Sequence, residues 1–344
     1  VALVAAALVV VRLRYGERAL PAPASPAHVG TFSTTLDIRQ FQRGNIHTHT
    51  TRSDGTQSPR DVATWYRDHG YQFLAITDHN VLVDPGELEG LEGPGFTLVP
   101  GEEISSTAGP APVHVQALCI DHLIEGGAFD TPAQALRSMV AAVRDQGGVP
   151  VVNHPNFSWA LGIADLATLT GPYTLEIWSG HPAVHSLGDG KRPSHETMWD
   201  ELLTRGRHVT AVAVDDVHTL VPLDGGTNAL PGLGWIQTFG EPGRAPICDA
   251  LRSGRFYASS GVTFRRILVE AGRVTVWVDD AADAVVFLGS AAQVLATVTG
   301  DALVRDADGL AATYALHGGA TYVRVHATAP GGGAAWTQAF TTNP

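Results

Sequence analysis

Lysine is almost absent from this chain. Lys191 is the only one among 22 basic residues, set against 34 acidic ones, so the formal charge is −12 with neutral histidines. A protein of that balance lacks the basic footprint that neutralises a run of phosphates, and no nucleic-acid groove is expected. Cysteine is nearly as scarce. Cys119 and Cys248 each lie in an apolar segment and neither belongs to a CxxC pair, which excludes a disulfide-dense scaffold and a thiolate zinc site. Any bound metal must therefore be held by histidine and carboxylate. Long apolar runs are also few. The run Val1 to Val11 falls short of the roughly 20 residues that cross a bilayer.

That run precedes Arg12 and Arg14, and the sequence does not open on Met. Residues 1–20 are read as a truncated hydrophobic signal or anchor segment, and 21–44, beginning Pro/Ala-rich, as linker and lead-in. The expected location is the bacterial envelope, anchored in the membrane or exported, with the cytoplasm as the alternative. Oligomeric state cannot be read.

With 44% hydrophobic residues over 344, the rest can build a sizeable core. From Asn45 onward, short β-branched runs alternate with longer amphipathic ones, the pattern of βα units. Seven strands are predicted: Gly44–His47, Phe73–Thr77, Phe96–Val99, Val113–Ile120, Val149–Val152, Thr174–Trp178 and Val209–Val214. Three helices carry clear signals. One opens at Ser58-Pro59 and closes at Gly70; one opens at Thr131-Pro132 with Ala135, Leu136, Met139, Val140 and Val143 on one face; one runs from Ser194 to Arg205. The fold class is α/β, a distorted seven-stranded barrel over 45–261 with its chemistry at the C-terminal strand ends. Residues 262–344, with short alternating runs and Gly-rich turns, read as a small β-sandwich.

Histidine is what the chain has in plenty, 15 in all. They fall where a barrel would place a site: His47-Thr48-His49 and Ser53-Asp54 after the first strand, Asp78-His79 after the second, Glu102-Glu103 after the third, Asn153-His154 after the fifth, His181 after the sixth and Asp215-Asp216-Val217-His218 after the seventh. His114, near the start of the fourth strand, is the exception. In His-x-His on a strand, residues i and i+2 face one side and can share an ion. Imidazole and carboxylate are the usual ligands of Zn, Mn and Fe.

The ordered series His47-Thr48-His49-Thr50, Ser53-Asp54-Gly55, Ala75 to Asn80, Pro100 to Glu103, His114, Asn153-His154-Pro155 and Asp215 to His218 resembles the PHP family, named for polymerase and histidinol phosphatase. The resemblance implies a distorted (β/α)7 barrel with a trinuclear metal centre. Carried over by motif, the ligands are His47, His49, Asp54, His79, Glu103, His114, His154, Asp216 and His218. His47, His49 and Asp216 would hold one ion, Glu103 would bridge it to a second on His114 and His154, and Asp54, His79 and His218 would hold the third. The Gly-x-Glu spacing selects Glu103 over Glu102, which is left as a solvated or supporting carboxylate. Leu175 to Trp178, His181-Pro182, Gly188-Asp189-Gly190 and Leu251 to Ser260 are similar to the branch that includes carbaryl hydrolase and related phosphoesterases.

The expected cofactors are two to three divalent ions, Mn, Zn or Fe, and the expected reaction is attack of a metal-bridging hydroxide on a small phosphate ester. His181, His185 and His195 are candidates for protonating the leaving group, and Asp215 for facing the open side of the cluster. Lys191 and Arg192 are candidates for contacting an anionic substrate. Two other readings stand beside this one. The same centre could hydrolyse carbamate, carboxyl ester or amide bonds, or the domain could be a non-catalytic metal-binding or adaptor module.

Overall fold

The computed structural model describes residues 31–223, 229–317 and 320–343. The hydrophobic segment 1–20 and the first part of the linker lie outside them. Among the described residues no helix is long and apolar enough to cross a membrane. The chain divides into two compact units, one spanning Phe41–Ser260 and one combining 31–40 with the residues from Gly261 onward. The segment read as lead-in thus carries strands of its own: Leu36–Ile38 pairs antiparallel with Phe264–Glu270.

In the larger unit the helices form where their caps direct. Ser58 accepts a hydrogen bond from the Asp61 amide at 3.2 Å and Pro59 occupies the first turn of Pro59–Asp68. Thr131 caps Pro132–Asp145 through Gln134, and the five apolar residues of its predicted face are all buried. Ser194 caps His195–Thr204 through Thr197. Each cap satisfies an amide that the first helical turn leaves without an intrahelical acceptor.

The strands form two sheets rather than one ring. Gln42–Asn45, Phe73–Ala75 and Thr97–Val99 run parallel. Val149–Val152, Tyr173–Ser179 and Val209–Val214 also run parallel, in the second sheet. Among the described residues no continuous ladder closes them into a barrel. The sheets meet at one end through two isolated bridges, Thr48 with Val217 and His79 with Glu103. Between them lies an apolar core that includes Ile46, Phe73, Leu118, Val151, Val212 and Val214.

The strand containing His114 spans Ala111–Leu118 and runs antiparallel to both of its neighbours, Gly101–Ala108 and Val149–Val152. Its beginning, rather than its end, therefore lies beside the C-terminal ends of the parallel strands, and His114 needs no special shift. Its hairpin partner Gly101–Ala108 was not predicted as a strand, because its buried positions include Glu102, Glu103 and Ser106 rather than an apolar set. The two cysteines, 129 residues apart, form a disulfide. A single bridge is no scaffold, but composition offered no sign of it.

The second unit is antiparallel. One sheet holds Phe264–Glu270, Arg273–Val278, Val304–Asp306 and Gly309–Ala315 with Leu36–Ile38. Ala284–Gly289, Gln293–Thr299 and Tyr322–Thr328 pair in another. The Phe287 ring of the second sheet stacks on Tyr314 of the first, centroids 5.6 Å apart.

Candidate metal centre

Backbone hydrogen bonds set the site before any side chain does. The Asp216 amide donates to the His47 carbonyl at 3.1 Å and the His49 amide to the Val217 carbonyl at 2.9 Å, which locks the two HxH-like segments side by side. Asp216 has φ +54°, a conformation that non-glycine residues adopt mainly where the surroundings enforce it. After His49 the chain turns tightly through Ser53-Asp54-Gly55. A Cβ on Gly55 would lie 2.6 Å from the His49 carbonyl, so only glycine allows that approach. Asp78 holds the turn, accepting from the Thr50 amide (2.7 Å), the Thr50 hydroxyl (2.6 Å) and the Ser53 hydroxyl (2.6 Å).

The structure brings all nine sequence-selected residues together, in four overlapping groups. These are His49, Asp54, His79 and His218; His47, His49 and Asp216; His47, Glu103 and His154; and His79, Glu103 and His114. Within each group one ligand atom per residue lies within 4.8 Å of the others. Glu103 is the hub. One oxygen approaches His47 (3.4 Å), His49 (3.2 Å) and His79 (3.0 Å), and the other His114 (3.1 Å) and His154 (3.3 Å). The Asn153 amide group donates to Glu103 at 2.6 Å and so orients it. Asp54 stands 3.6 Å from His79 and 3.4 Å from His218. His49 reaches both the Asp216 and the Asp54 groups, which is broader than the motif-based division into three sets.

The chemistry of these donors can be tested for fit to a cation. His47 Nε2, His49 Nε2, Glu103 Oε2 and His114 Nδ1 are buried and make no hydrogen bond. Lone pairs of imidazole and carboxylate facing one another in a dry site repel unless a positive charge lies among them. Protonation tells the same story. Burial opposes charge on His47, but Asp216 and Glu103 outweigh it and hold the ring well above its ordinary pKa. For His49 the same contest, burial against Asp216 and Glu103, ends at about 9. Asp54 is exposed at the rim; partial desolvation raises it, but His218 and His79 hold it far below the carboxylate range, and His47 and His114 do the same for Glu103 despite its burial. His114 goes the other way, with burial lowering it. The pocket favours positive charge, and the donor set suits divalent ions.

The remaining candidates separate. Asp215 turns away: its carboxylate accepts from Tyr66 Oη (2.6 Å) and from the amides of Gly232, Leu233 and Gly234 (3.0, 2.7 and 2.8 Å). It anchors the loop after Val209–Val214 instead of facing the open side, and burial pushes it up to about 6. His195 is fully buried and accepts the Asn156 amide at 3.1 Å, with burial holding it down to about 3, so it braces the helix start. His185 is exposed and stacks on Trp159, centroids 4.6 Å apart, while Arg192 donates to the Trp159 carbonyl at 2.8 Å. Lys191 is exposed on the same loop. His181 alone of the three histidines touches the cluster, its ring 5.2 Å from that of His218. Glu102 is neither solvated nor supporting: strand alternation sends it away from Glu103 into a buried position, where it accepts the Ile124 amide and burial pushes it up to about 7.

One residue escaped sequence reasoning as a site member. Glu176 is fully buried on Tyr173–Ser179 and lies 3.0 Å from His47 Nδ1. The available signal was a carboxylate in the middle of an otherwise apolar strand.

No family model matches the chain. The DNA polymerase/3'-5' exonuclease PolX of Bacillus subtilis is 38% identical over 58 residues, which is 16% of this chain and 10% of that protein, so the chain spans only about a tenth of that curated relative. Among solved structures, a two-domain protein from Bacteroides vulgatus containing a predicted PHP-like metal-dependent phosphoesterase is similar at 15% identity and TM-score 0.46, over 93% of this chain and all of that one. An amidohydrolase from Chromobacterium violaceum, with bound sulfate and no metal, gives 18% and 0.41 over 62% of this chain and 96% of its own. A protein of Bifidobacterium adolescentis described as a metal-dependent phosphoesterase gives 17% and 0.38 over 55% and 93%. PHP-like metal-dependent phosphoesterases are thus among the structures this chain is similar to, the family its motifs resemble.

Proposed function

We propose that the chain is a metal-dependent phosphoesterase of PHP type, with a distorted (β/α)7-like arrangement of its two sheets and two to three divalent ions on His47, His49, Asp54, His79, Glu103, His114, His154, Asp216 and His218. The observation that carries the reading is the convergence of these nine residues in overlapping groups around unbonded, buried lone pairs. When bound, the ions would polarise the ester and the attacking water and clamp the substrate oxygens.

The chain's own residues then do the positioning. Glu103, fixed by Asn153, joins the groups, and Asp78 keeps Asp54 at the rim. His181 borders the cluster with Nδ1 accepting the Ala183 amide at 3.2 Å. The ring's remaining nitrogen, Nε2, then carries the proton, and burial holds the pKa below its ordinary value. An imidazolium would set two donors against each other at Nδ1. His181 is therefore suited to donating a hydrogen bond to a substrate oxygen, rather than to serving as a charged general acid. In a chain with an excess of acidic residues, an anionic substrate would be attracted by the ions, whose addition brings the formal charge from −12 toward neutrality.

Metal-loaded protein assayed against p-nitrophenyl phosphate, bis-p-nitrophenyl phosphate and 1-naphthyl carbamate tests the reading. Phosphate ester hydrolysis that a chelator abolishes is expected. Activity on the carbamate alone would move the protein to carbonyl chemistry, and a chain that binds fewer than two ions would fit the adaptor reading.

The Cys119–Cys248 bridge favours an oxidising compartment and with it the envelope or an exported state. Protein isolated from cells should gain no mass with a maleimide unless reduced first. Free thiols in native material would point back to the cytoplasm.

A further inference from the structure

Glu176 is not among the nine residues, nor in any of the groups that could hold an ion. Yet it sits directly behind one of them. Its Oε2 lies 3.0 Å from His47 Nδ1, and both side chains are fully buried. The opposite nitrogen of the same ring, Nε2, lies 3.2 Å from Asp216 and 3.4 Å from Glu103 and makes no hydrogen bond. A neutral imidazole has one donor and one acceptor nitrogen. A carboxylate at Nδ1 takes the proton on that side, which leaves the Nε2 lone pair aimed at the centre of the cluster. The strand is shaped for this. Pairing with Val209–Val214 shifts register between Glu176 and Trp178, and such irregularities re-aim side chains beside active sites.

We propose that Glu176 is a positioning residue for the metal centre: it fixes the tautomer and orientation of His47, so that Nε2 is presented as a ligand, and it contributes a fourth carboxylate beside Asp54, Glu103 and Asp216. Four carboxylates would balance two divalent ions. The proposal rests on the metal-dependent reading above. Supporting carboxylates of this kind tune ligand basicity, and their loss typically lowers metal affinity by about 10–100-fold. At Nδ1, His79 meets both the Ser105 hydroxyl at 2.6 Å and Glu103, itself in the ligand set, at 3.0 Å, and His218 meets the Asp216 carbonyl at 2.9 Å. His47 has a carboxylate in that role from outside the ligand set.

The test compares wild type with Glu176→Leu and Glu176→Gln, titrating Zn²⁺ and Mn²⁺ against a chromophoric chelator and following the folding of the metal-free proteins by circular dichroism. Glu176→Leu is expected to lose about 10–100-fold in affinity for one ion while the metal-free fold persists. Glu176→Gln, whose carbonyl oxygen still accepts from Nδ1–H, is expected to lose less than about tenfold. If the leucine variant fails to fold, the glutamine variant and the wild-type ring still decide. Long-range ¹⁵N NMR of the Zn²⁺-loaded wild type should place the His47 proton on Nδ1. Wild-type affinity in Glu176→Leu, an equal loss in both variants, or a His47 proton on Nε2 would each overturn the proposal. A wild type that binds no metal would instead overturn the metal-dependent reading itself.

Discussion

Glu103 is the position at which the proposed centre can be broken most cleanly. Its two oxygens face ring nitrogens of five histidines at 3.0–3.4 Å, so every one of the groups contains it or a residue it contacts. Glu103→Gln removes one charge and almost no volume. At an effective dielectric near 20, a unit charge about 4 Å from a divalent ion is worth roughly 8 kcal/mol. The glutamine oxygen remains a neutral ligand and the other carboxylates remain in place, so the net loss should be smaller. We set it at about 3 kcal/mol, roughly a hundredfold in metal affinity. Metal content after dialysis against a graded chelator series measures this directly. The same substitution should act in the opposite direction on the metal-free protein at high pH. Above about pH 9, where His49 has lost its proton, Glu103 and Asp216 are buried carboxylates with less positive charge beside them, and removing one relieves their repulsion. Metal-free Glu103→Gln should therefore unfold at an equal or higher temperature than metal-free wild type at pH 9.5. A variant that keeps wild-type affinity, or one that loses metal only because its metal-free form is unfolded, would refute the reasoning.

Three further outcomes are expected. His49 is raised in the fold from 6.5 to about 9, so its contribution to stability is complete below pH 6.5 and lost as the pH rises through 9. Thermal melts of chelated protein should fall across that window by the equivalent of up to roughly 3 kcal/mol, and excess Mn²⁺ or Zn²⁺ should flatten the profile; a flat profile without metal would contradict it. Asp78→Ala removes the acceptor of three hydrogen bonds that hold the Thr50–Gly55 turn, and should cost about 1–3 kcal/mol and loosen the Asp54 group. Elemental analysis should then show one ion fewer per chain, with the Glu103 groups still filled, and unchanged stoichiometry would argue against it. Reducing Cys119–Cys248, which closes 129 residues of chain, should lower stability by about 2–5 kcal/mol, read as a shift in the urea midpoint with and without reductant. Coincident curves with fully reduced thiols would sink that expectation.

Much of this protein was legible locally. Ser58, Thr131 and Ser194 cap helices because a side-chain oxygen three residues before an amide needs nothing distant to form its bond. The buried face of Pro132–Asp145 follows from the 3.6-residue period alone. The histidines and carboxylates stood out by residue type and by their place after apolar runs, and Asp215 stood out with them although its carboxylate serves the Gly232–Gly234 turn. Residue type shows what a side chain can do, not which way the backbone aims it.

The amino-acid order by itself determined the chemistry available: no thiolate pair for zinc, almost no lysine, and a series of imidazole and carboxylate groups spaced as strand-end ligands. Tertiary structure decided how those groups meet. It reversed Ala111–Leu118 so that His114 enters from the strand's beginning, set Glu176 behind His47, and joined two cysteines 129 residues apart. Capping and periodicity are settled within a few residues of chain, whereas strand direction and convergence depend on where the chain returns, and that is fixed only when the two sheets bury their shared core.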